Sequence, residues 1–422
     1  MKGWSLKKSW TVLDQEALTF GDSDYRCECY IETEDGLLVP RAYESFSNPD
    51  KSVSLGGELR ELPPISLREE QVPAVNAITS ALHSPGTGAI LFAPCGKGKT
   101  VMGLEILRRL KRKALVLVHK SFLVDQWVER VNTFLPQAKV GLWQRDQVPT
   151  GDEDIVIGMV QSIVNPKRDY PIQFYDMFGT LVADETHRYA APMWQEAISK
   201  FTASYRIGLT ATPERKDGLH HVFYSHIGPI AYFMEGHKRQ PVIWRVDTDL
   251  TLPQRSYLLY NGDINTSKLV TLVSRADERT IRIVDFALRA LRKGRKVLIL
   301  SDRVTHTKEM NHLLNHKLDG EFLSALYIGG MKTSEREKSA QADVICGTYA
   351  MAQEGLDIPS LDTLILATPK TSITQSVGRI LRDSPDKKDP VVVDFVDDSI
   401  PILRAYWGAR KKTYLKLGYN IL

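Results

Sequence analysis

Two sets of short, uninterrupted apolar runs constrain this chain more than any other feature. The first set is GAILFAP, KALVLVH, DIVIGMV, GTLVADE and RIGLTAT; the second resumes at Lys296 with KVLILSD, SALYIGG, ADVICGTY, LDTLILATP and PVVVDFVDD. A strand that is apolar at every position has no solvent face. Such strands belong inside a parallel sheet covered by helices on both sides. KSFLVDQWVERVNTFL and APMWQEAISKF are two of the helical patterns that lie between the runs. Residues 219–280 break the rhythm with mixed short strands and loops. The chain is therefore expected to be α/β, with two parallel-sheet lobes in tandem. Its 422 residues suit two or three domains.

The opening residues differ. YRCECYIET alternates polar and apolar like a half-buried strand, Asp35-Gly36 signals a turn, and LLVPRAYESF reads as a second strand. A small β-rich N-terminal module is expected, followed by FSNPDKSVSLGGELRELPP, which reads as a linker. The expected boundaries are 1–62 for the accessory module, 63–235 for the first lobe and 236–422 for the second.

Hydrophobic residues make up 43% and charged residues 25%, values of a soluble globular protein. No window approaches the roughly 20 consecutive apolar residues that span a bilayer, so no membrane partner is expected. MKGWSLKKSW is basic without an apolar core behind it, unlike a signal peptide. Cys27, Cys29, Cys95 and Cys346 are too scattered for a disulfide framework, and Cys27-Glu28-Cys29 is too tight for a zinc knuckle. A reducing, cytoplasmic setting is expected. The net charge of +4 neither requires nor excludes nucleic acid. Residues 402–422 hold Arg404, Arg410, Lys411, Lys412 and Lys416 without an acid, interleaved with Tyr406, Trp407, Tyr414 and Tyr419. Two readings stand: a basic, aromatic surface for phosphates and bases, or an amphipathic helix with buried aromatics and solvated lysines.

Four segments carry chemistry. Ala93-Pro-Cys-Gly-Lys-Gly-Lys-Thr100 joins a strand to a helix. Glycines there allow a tight turn whose N–H groups converge on phosphate, and the helix N-terminus adds partial positive charge. Gly96, Lys97 and Gly98 form the cradle, Lys99 reaches the β- and γ-phosphates, and Thr100 offers its hydroxyl to Mg2+. The first glycine of the full P-loop pattern is replaced by Ala93 or Pro94. Leu181-Val-Ala-Asp-Glu-Thr-His187 ends a strand in two adjacent carboxylates. Asp184 would hold the metal and Glu185 polarise the attacking water; an acidic helix cap is the plainer reading. Gly208-Leu-Thr-Ala-Thr-Pro213 places Thr210 and Thr212 where hydroxyls could relay the nucleotide state, or simply make a turn. In Ser372-Ile-Thr-Gln-Ser-Val-Gly-Arg-Ile-Leu-Arg382, Arg379 and Arg382 are spaced to share one helix face. They could act as arginine fingers or be ordinary surface arginines.

In this order, the four segments resemble the superfamily 2 helicases, over nearly all of Leu67–Leu422. The resemblance implies RecA-like lobes with one ATP-Mg2+ site between them. It implies that Leu67-Arg-Glu-Glu-Gln71 reads adenine through Gln71 and Arg68, and that His187 couples hydrolysis to nucleic acid. His119, Lys120 and Gln126 of the 118–127 segment, Gln161 and Ser162 of the 158–162 segment, Arg303 and Thr348 would contact nucleic acid. Gly355 and Asp357 would lie near the nucleotide, and Gln375 would join the coupling residues. Thr-Ala-Thr-Pro-Glu-Arg-Lys-Asp-Gly218 is similar to the branch that contains XPB and phage UvsW, as are Val39-Pro-Arg41 and the basic ending Gly418-Tyr-Asn-Ile. The compact length most resembles a phage branch-migration helicase, which would work in the host cytoplasm. The implied activity is an ATP-dependent DNA helicase, a monomer, acting on single-stranded, forked or branched DNA, with a DNA-binding N-terminal module. A nucleic-acid clamp, an RNA remodeller and a restriction-type motor subunit are the alternatives. DETH departs from the commoner DEAH and DECH forms at Thr186.

Overall fold

A computed structural model describes the chain except residues 1–3, 8–17, 22–25, 35, 43–52, 95, 169, 213–218, 236–239, 355, 357, 383 and 385–386. The chain divides into two compact units, Met1–Gly236 and His237–Leu422.

The first unit begins with short antiparallel pairings. β1 (Trp4–Lys7), β5 (Gly36–Pro40) and β4 (Ile31–Thr33) form a three-stranded sheet in that order, and β2 (Thr19–Gly21) pairs with β3 (Arg26–Glu28). The alternating run 25–33 is thus two strands. It breaks at Cys29, whose N–H donates to Leu18 O at 2.9 Å. Leu18, Cys27, Cys29, Leu37 and Val39 pack with Leu219 and Val222, which seats the module on the helix His220–His226. Arg41 is buried and donates to Ala203 O at 2.7 Å, a second attachment.

The segment expected to be a linker is, from Val53 onward, laced into the same unit. Ser54 N–H donates to Thr202 O, Gly57 N–H to Met177 O and Lys113 N–H to Gly57 O, while Leu59, Leu62 and Ile65 join the core. Its Gly-Gly serves close approach rather than freedom. Gly56 has φ +57°, and a Cβ there would lie 2.2 Å from Gly179 N.

The rest of the first unit is a seven-stranded parallel sheet. Its strands are β6 (Gly88–Phe92), β7 (Ala114–Val118), β8 (Val140–Trp143), β9 (Ile155–Met159), β10 (Thr180–Asp184), β11 (Tyr205–Thr210) and β12 (Ile230–Phe233). They lie in the order β12-β6-β11-β10-β7-β9-β8. Every residue of β7 and β10 is buried. Alternate side chains feed opposite cores. Leu91, Val116, Val182 and Leu209 meet the helices Lys99–Leu110 and Ser121–Phe134, while Ile90, Leu115, Leu117 and Leu181 meet Pro192–Ser199. Each fully buried side chain of this kind contributes about 1.5–3 kcal/mol.

The second unit repeats the plan with β13 (Val242–Asp247), β14 (Val297–Ser301), β15 (Ser324–Tyr327), β16 (Val344–Thr348), β17 (Thr363–Leu366), β18 (Val391–Val396) and β19 (Asn420–Ile421). They are all parallel, in the order β15-β16-β14-β17-β18-β13-β19. The expected α/β class, tandem parallel-sheet lobes and small β-rich N-terminal part are all present.

The C-terminal stretch resolves in favour of the amphipathic helix. Within Pro401–Lys416, Trp407 and Tyr414 are buried while Lys411, Lys412 and Lys416 are exposed. Arg410 is buried too. It makes a two-pronged ion pair with Asp394 of β18, Nε to Oδ2 at 2.8 Å and Nη2 to Oδ1 at 2.9 Å. The interleaved aromatic and basic surface does not form, because helical spacing sorts the two kinds of residue onto different faces. Among the described residues, no helix is long and apolar enough to cross a membrane.

Candidate nucleotide site and nucleic-acid edge

In a parallel sheet all carboxyl ends share one edge, and ligands bind there. The first unit places nearly every residue singled out in its sequence along that edge. β6 ends in the P-loop, which opens the helix Lys99–Leu110, with Gly96 at φ +87° and Gly98 at φ +81°. The space over Gly98 is already taken: a Cβ would lie 2.4 Å from Gln71 Nε2 and 3.1 Å from Arg68 Nη2. Gln71 clasps the loop, donating from Nε2 to Lys97 O at 2.9 Å and accepting the Arg68 N–H at 3.0 Å. Lys97 is buried and paired with Glu70 at 2.6 Å, so its charge secures the loop to this segment. The Lys99 ammonium rests on Ala93 O at 3.2 Å, a neutral acceptor that a phosphate oxygen outcompetes. Buried Glu105 of the P-loop helix holds Arg108, Arg109 and the Ile65 N–H, fixing the incoming chain.

β10 delivers the carboxylates. Asp184 accepts the Glu185 N–H on Oδ1 at 2.9 Å and the Trp127 indole N–H on Oδ2 at 2.9 Å. Burial and the neighbouring Glu185 raise its pKa, against the pull of Trp127 and Lys99. Glu185 sits at φ +50°, ψ +52°, a conformation costly for a residue with a side chain and concentrated at functional sites. Its Oε2 is buried without a hydrogen-bond partner and lies 3.4 Å from His187 Nδ1. A buried and a half-buried carboxylate side by side and a lysine resting on a carbonyl are what a nucleotide with a divalent cation would complete. The donor set fits: Asp184 and the Thr100 hydroxyl for the metal, Lys99 and the loop N–H groups for phosphate.

β11 ends beside them. His187 Nδ1 lies 3.3 Å from Thr210 Oγ1, which in turn donates to Thr212 O and accepts the Thr212 N–H, both at 3.0 Å. The link runs through the Thr210 side chain and the Thr212 backbone. Thr186 has a structural task. Its buried hydroxyl reaches Ala183 O and Leu209 O, each at 3.0 Å, bridging the ends of β10 and β11. Thr186→Ala, the commoner residue at this position, is expected to lower unfolding free energy by about 1 kcal/mol. ATP turnover should change by less than about threefold, an energy of the same order. Urea denaturation and steady-state ATPase rates read the two outcomes.

Further along the edge, β7 leads to His119 and Lys120, and β9 to Gln161 and Ser162. Gln161 Nε2 donates to His119 O at 3.0 Å, joining the two loops, and Ser162 Oγ accepts the Arg145 N–H at 3.0 Å. Burial, with Arg188 and Lys120 nearby, lowers the His119 pKa to about 3, so the ring is neutral at physiological pH. Gln126 is half-buried on the helix Ser121–Phe134.

In the second unit, Arg303 follows β14 and is held by Thr271 Oγ1 at 3.0 Å and Ser267 O at 2.7 Å. Thr348 ends β16 and is 8% exposed, which leaves little hydroxyl surface for a phosphate. Arg379 lies in the helix Thr374–Ile380 and donates to Leu356 O at 2.8 Å. That helix ends at Ile380, so Arg382 lies beyond it and the two arginines do not share a helical face. The following Ser384-Pro385 disfavours helix at that point. Gly355, Asp357 and the Gln375 side chain lie outside the described residues.

The family model for the res subunit of type III restriction enzymes matches residues 64–215, and that for the helicase conserved C-terminal domain matches residues 278–384. A protein of Acanthamoeba polyphaga mimivirus, assigned as an ATP-dependent RNA helicase, is 34% identical over 402 residues, covering 93% of this chain and 77% of that protein. The chain is a superfamily 2 helicase. A protein of Invertebrate iridescent virus 6, assigned as a helicase, is 29% identical over 388 residues, covering 88% of this chain and 84% of that one. Among solved structures, a fragment assigned to the HsdR subunit of a Vibrio vulnificus type I restriction enzyme shares the fold. Its TM-score is 0.56 at 19% identity, with 79% of this chain and 65% of that one covered. The helicase is accordingly an ATP hydrolase with a nucleic-acid partner. Two residues of its site escaped the sequence reading. Glu70 carries no signal beyond lying in the Leu67–Gln71 segment. Trp127 stood inside a quoted motif with no role attached.

Proposed function

We propose that this helicase is a DNA-directed motor that remodels forks and junctions, using the residues along the first-lobe edge for ATP-Mg2+ hydrolysis. The observation that carries the reading is the strand order β6-β11-β10-β7-β9, which sets the P-loop, the carboxylates and the strand-contact loops side by side. Bound ATP-Mg2+ supplies the phosphoryl group and neutralises its developing charge. Lys99 and the loop N–H groups grip the phosphates, Thr100 and Asp184 hold the metal, and Glu185 orients and deprotonates water. Arg68 and Gln71 read the base. As the resemblance to the superfamily 2 helicases implies, Arg379 and Arg382 would sense the γ-phosphate, and His187 with Thr210 would pass its presence on. His119, Lys120, Gln161 and Arg303 hold the strand, chiefly by its phosphates, so binding weakens with salt; the buried Thr348 hydroxyl is left out of this set.

The choice of DNA is supported by the likeness of the Thr210–Gly218 run and of Val39-Pro-Arg41 to the XPB and UvsW branch. In the structure Arg41 fastens the N-terminal module to the lobe. The RNA-helicase assignment of the mimivirus relative favours RNA as the second reading. ATPase stimulation and unwinding, compared across single strands, duplexes, forks and four-way junctions of DNA and matched RNA, separate the two. Tighter half-saturation on forked or four-way DNA is expected, and equal or better stimulation by RNA would overturn it. Arg379→Ala is expected to cut stimulated turnover by about three orders of magnitude or more, as loss of an arginine finger does. A variant that kept normal stimulated turnover would remove Arg379 from the mechanism. Magnesium-dependent cleavage of plasmid would reveal a restriction-type activity instead.

A further inference from the structure

We infer that Trp127 is a positioning residue: its indole N–H fixes the Asp184 carboxylate and ties that carboxylate to the helix Ser121–Phe134, whose start carries the strand-contact residues. The inference rests on the reading of Asp184 as the metal-holding carboxylate. Trp127 is 1% exposed and donates to Asp184 Oδ2 at 2.9 Å, while Oδ1 is held by the Glu185 N–H. Both oxygens are therefore oriented, and each keeps a lone pair for a metal. An indole suits this task. It is a donor only, rigid, and neutral, so it fixes the carboxylate without competing as a cation for its charge.

The same ring has a second contact. A Cβ on Gly103 of the P-loop helix would lie 3.4 Å from Trp127 Cη2, ordinary contact distance, and 3.0 Å from Leu209 Cδ1, so the ring lies close against that helix. Trp127 thus touches the P-loop helix and the β10 carboxylate from a helix that begins directly after His119 and Lys120. A shift of a few tenths of an ångström at the start of that helix, on binding a strand, is transmitted to the geometry of Asp184. A buried tryptophan merely finding an acceptor for its N–H would make the same hydrogen bond. The test must therefore separate the N–H from the ring.

Two variants of the full chain do so: Trp127→Phe, and site-specific replacement of Trp127 by benzothienylalanine, which keeps the bicyclic shape and has sulfur in place of N–H. The first readout needs no turnover: binding of a non-hydrolysable fluorescent ATP analogue titrated with Mg2+. The second is kcat and KM for ATP with saturating nucleic acid. Loss of one hydrogen bond to a charged group is expected to weaken the apparent Mg2+ affinity about tenfold. Nucleic-acid-stimulated kcat should fall by about as much with KM changed less than twofold, the pattern of an interaction lost in the transition state. If the benzothienylalanine variant keeps Mg2+ affinity and stimulated kcat within twofold, Trp127 is core packing only and the inference is wrong. Asp184→Asn, titrated in parallel, isolates the premise. If it retains Mg2+-dependent nucleotide binding, the reading of Asp184 has failed, whatever the Trp127 variants do.

Discussion

Glu185→Gln is expected to lower ATP turnover by about two to four orders of magnitude, the range associated with a positioned acid or base, while nucleotide affinity stays within a few-fold. The amide keeps the size of the carboxylate but cannot take a proton from water. The P-loop, Lys99 and the Gln71 clasp are untouched, so the grip on phosphate should survive. Two features single out Glu185 over Asp184 as the base. Its backbone is held at φ +50°, and its Oε2 is buried without a hydrogen-bond partner. Asp184 already accepts one hydrogen bond on each oxygen, which orients it to hold the metal. Rapid-quench hydrolysis at saturating nucleic acid, beside a fluorescent nucleotide titration, reads the two effects separately. A drop of less than tenfold would move the proton acceptor elsewhere.

Arg410→Ala should destabilise the second unit by about 3–5 kcal/mol, because it leaves a buried carboxylate without its counter-ion. Asp394 accepts two hydrogen bonds from the Arg410 guanidinium and one from the Tyr414 hydroxyl at 2.9 Å, and Arg410 Nη1 also donates to Lys370 O at 2.7 Å. Both ion-pair side chains are no more than 2% exposed. Removing both charges together, as Asp394→Leu with Arg410→Met, should recover much of the loss, since the penalty comes from the unpaired charge. Denaturant unfolding followed by circular dichroism measures each step. Equal stability of the wild-type chain and Arg410→Ala would mean that water reaches Asp394.

Much of the architecture was legible because parallel strands buried on both faces are apolar at nearly every position, as β7 and β10 are. The nucleotide segments were legible because phosphate binding demands glycines, a lysine and a hydroxyl in a short local run. What escaped was set by contacts distant in sequence. The Gly-Gly of the expected linker reads as flexibility, yet its purpose is the approach of Gly56 to Gly179. The reach of Trp127 to Asp184 joins residues 57 apart. The task of Thr186 depends on the carbonyl of Leu209 across the sheet. In the C-terminal stretch composition left two readings open, because it does not record which side of a helix a residue faces.

The order of strands along the first-lobe edge also fixes a distance. Neighbouring strands lie about 4.8 Å apart, and β10, which carries the hydrolytic carboxylates, is flanked directly by β7, which leads to His119 and Lys120. On the proposed roles, hydrolysis and strand grip would stand on neighbouring strands, joined by one rung of a hydrogen-bonded ladder rather than by a loop.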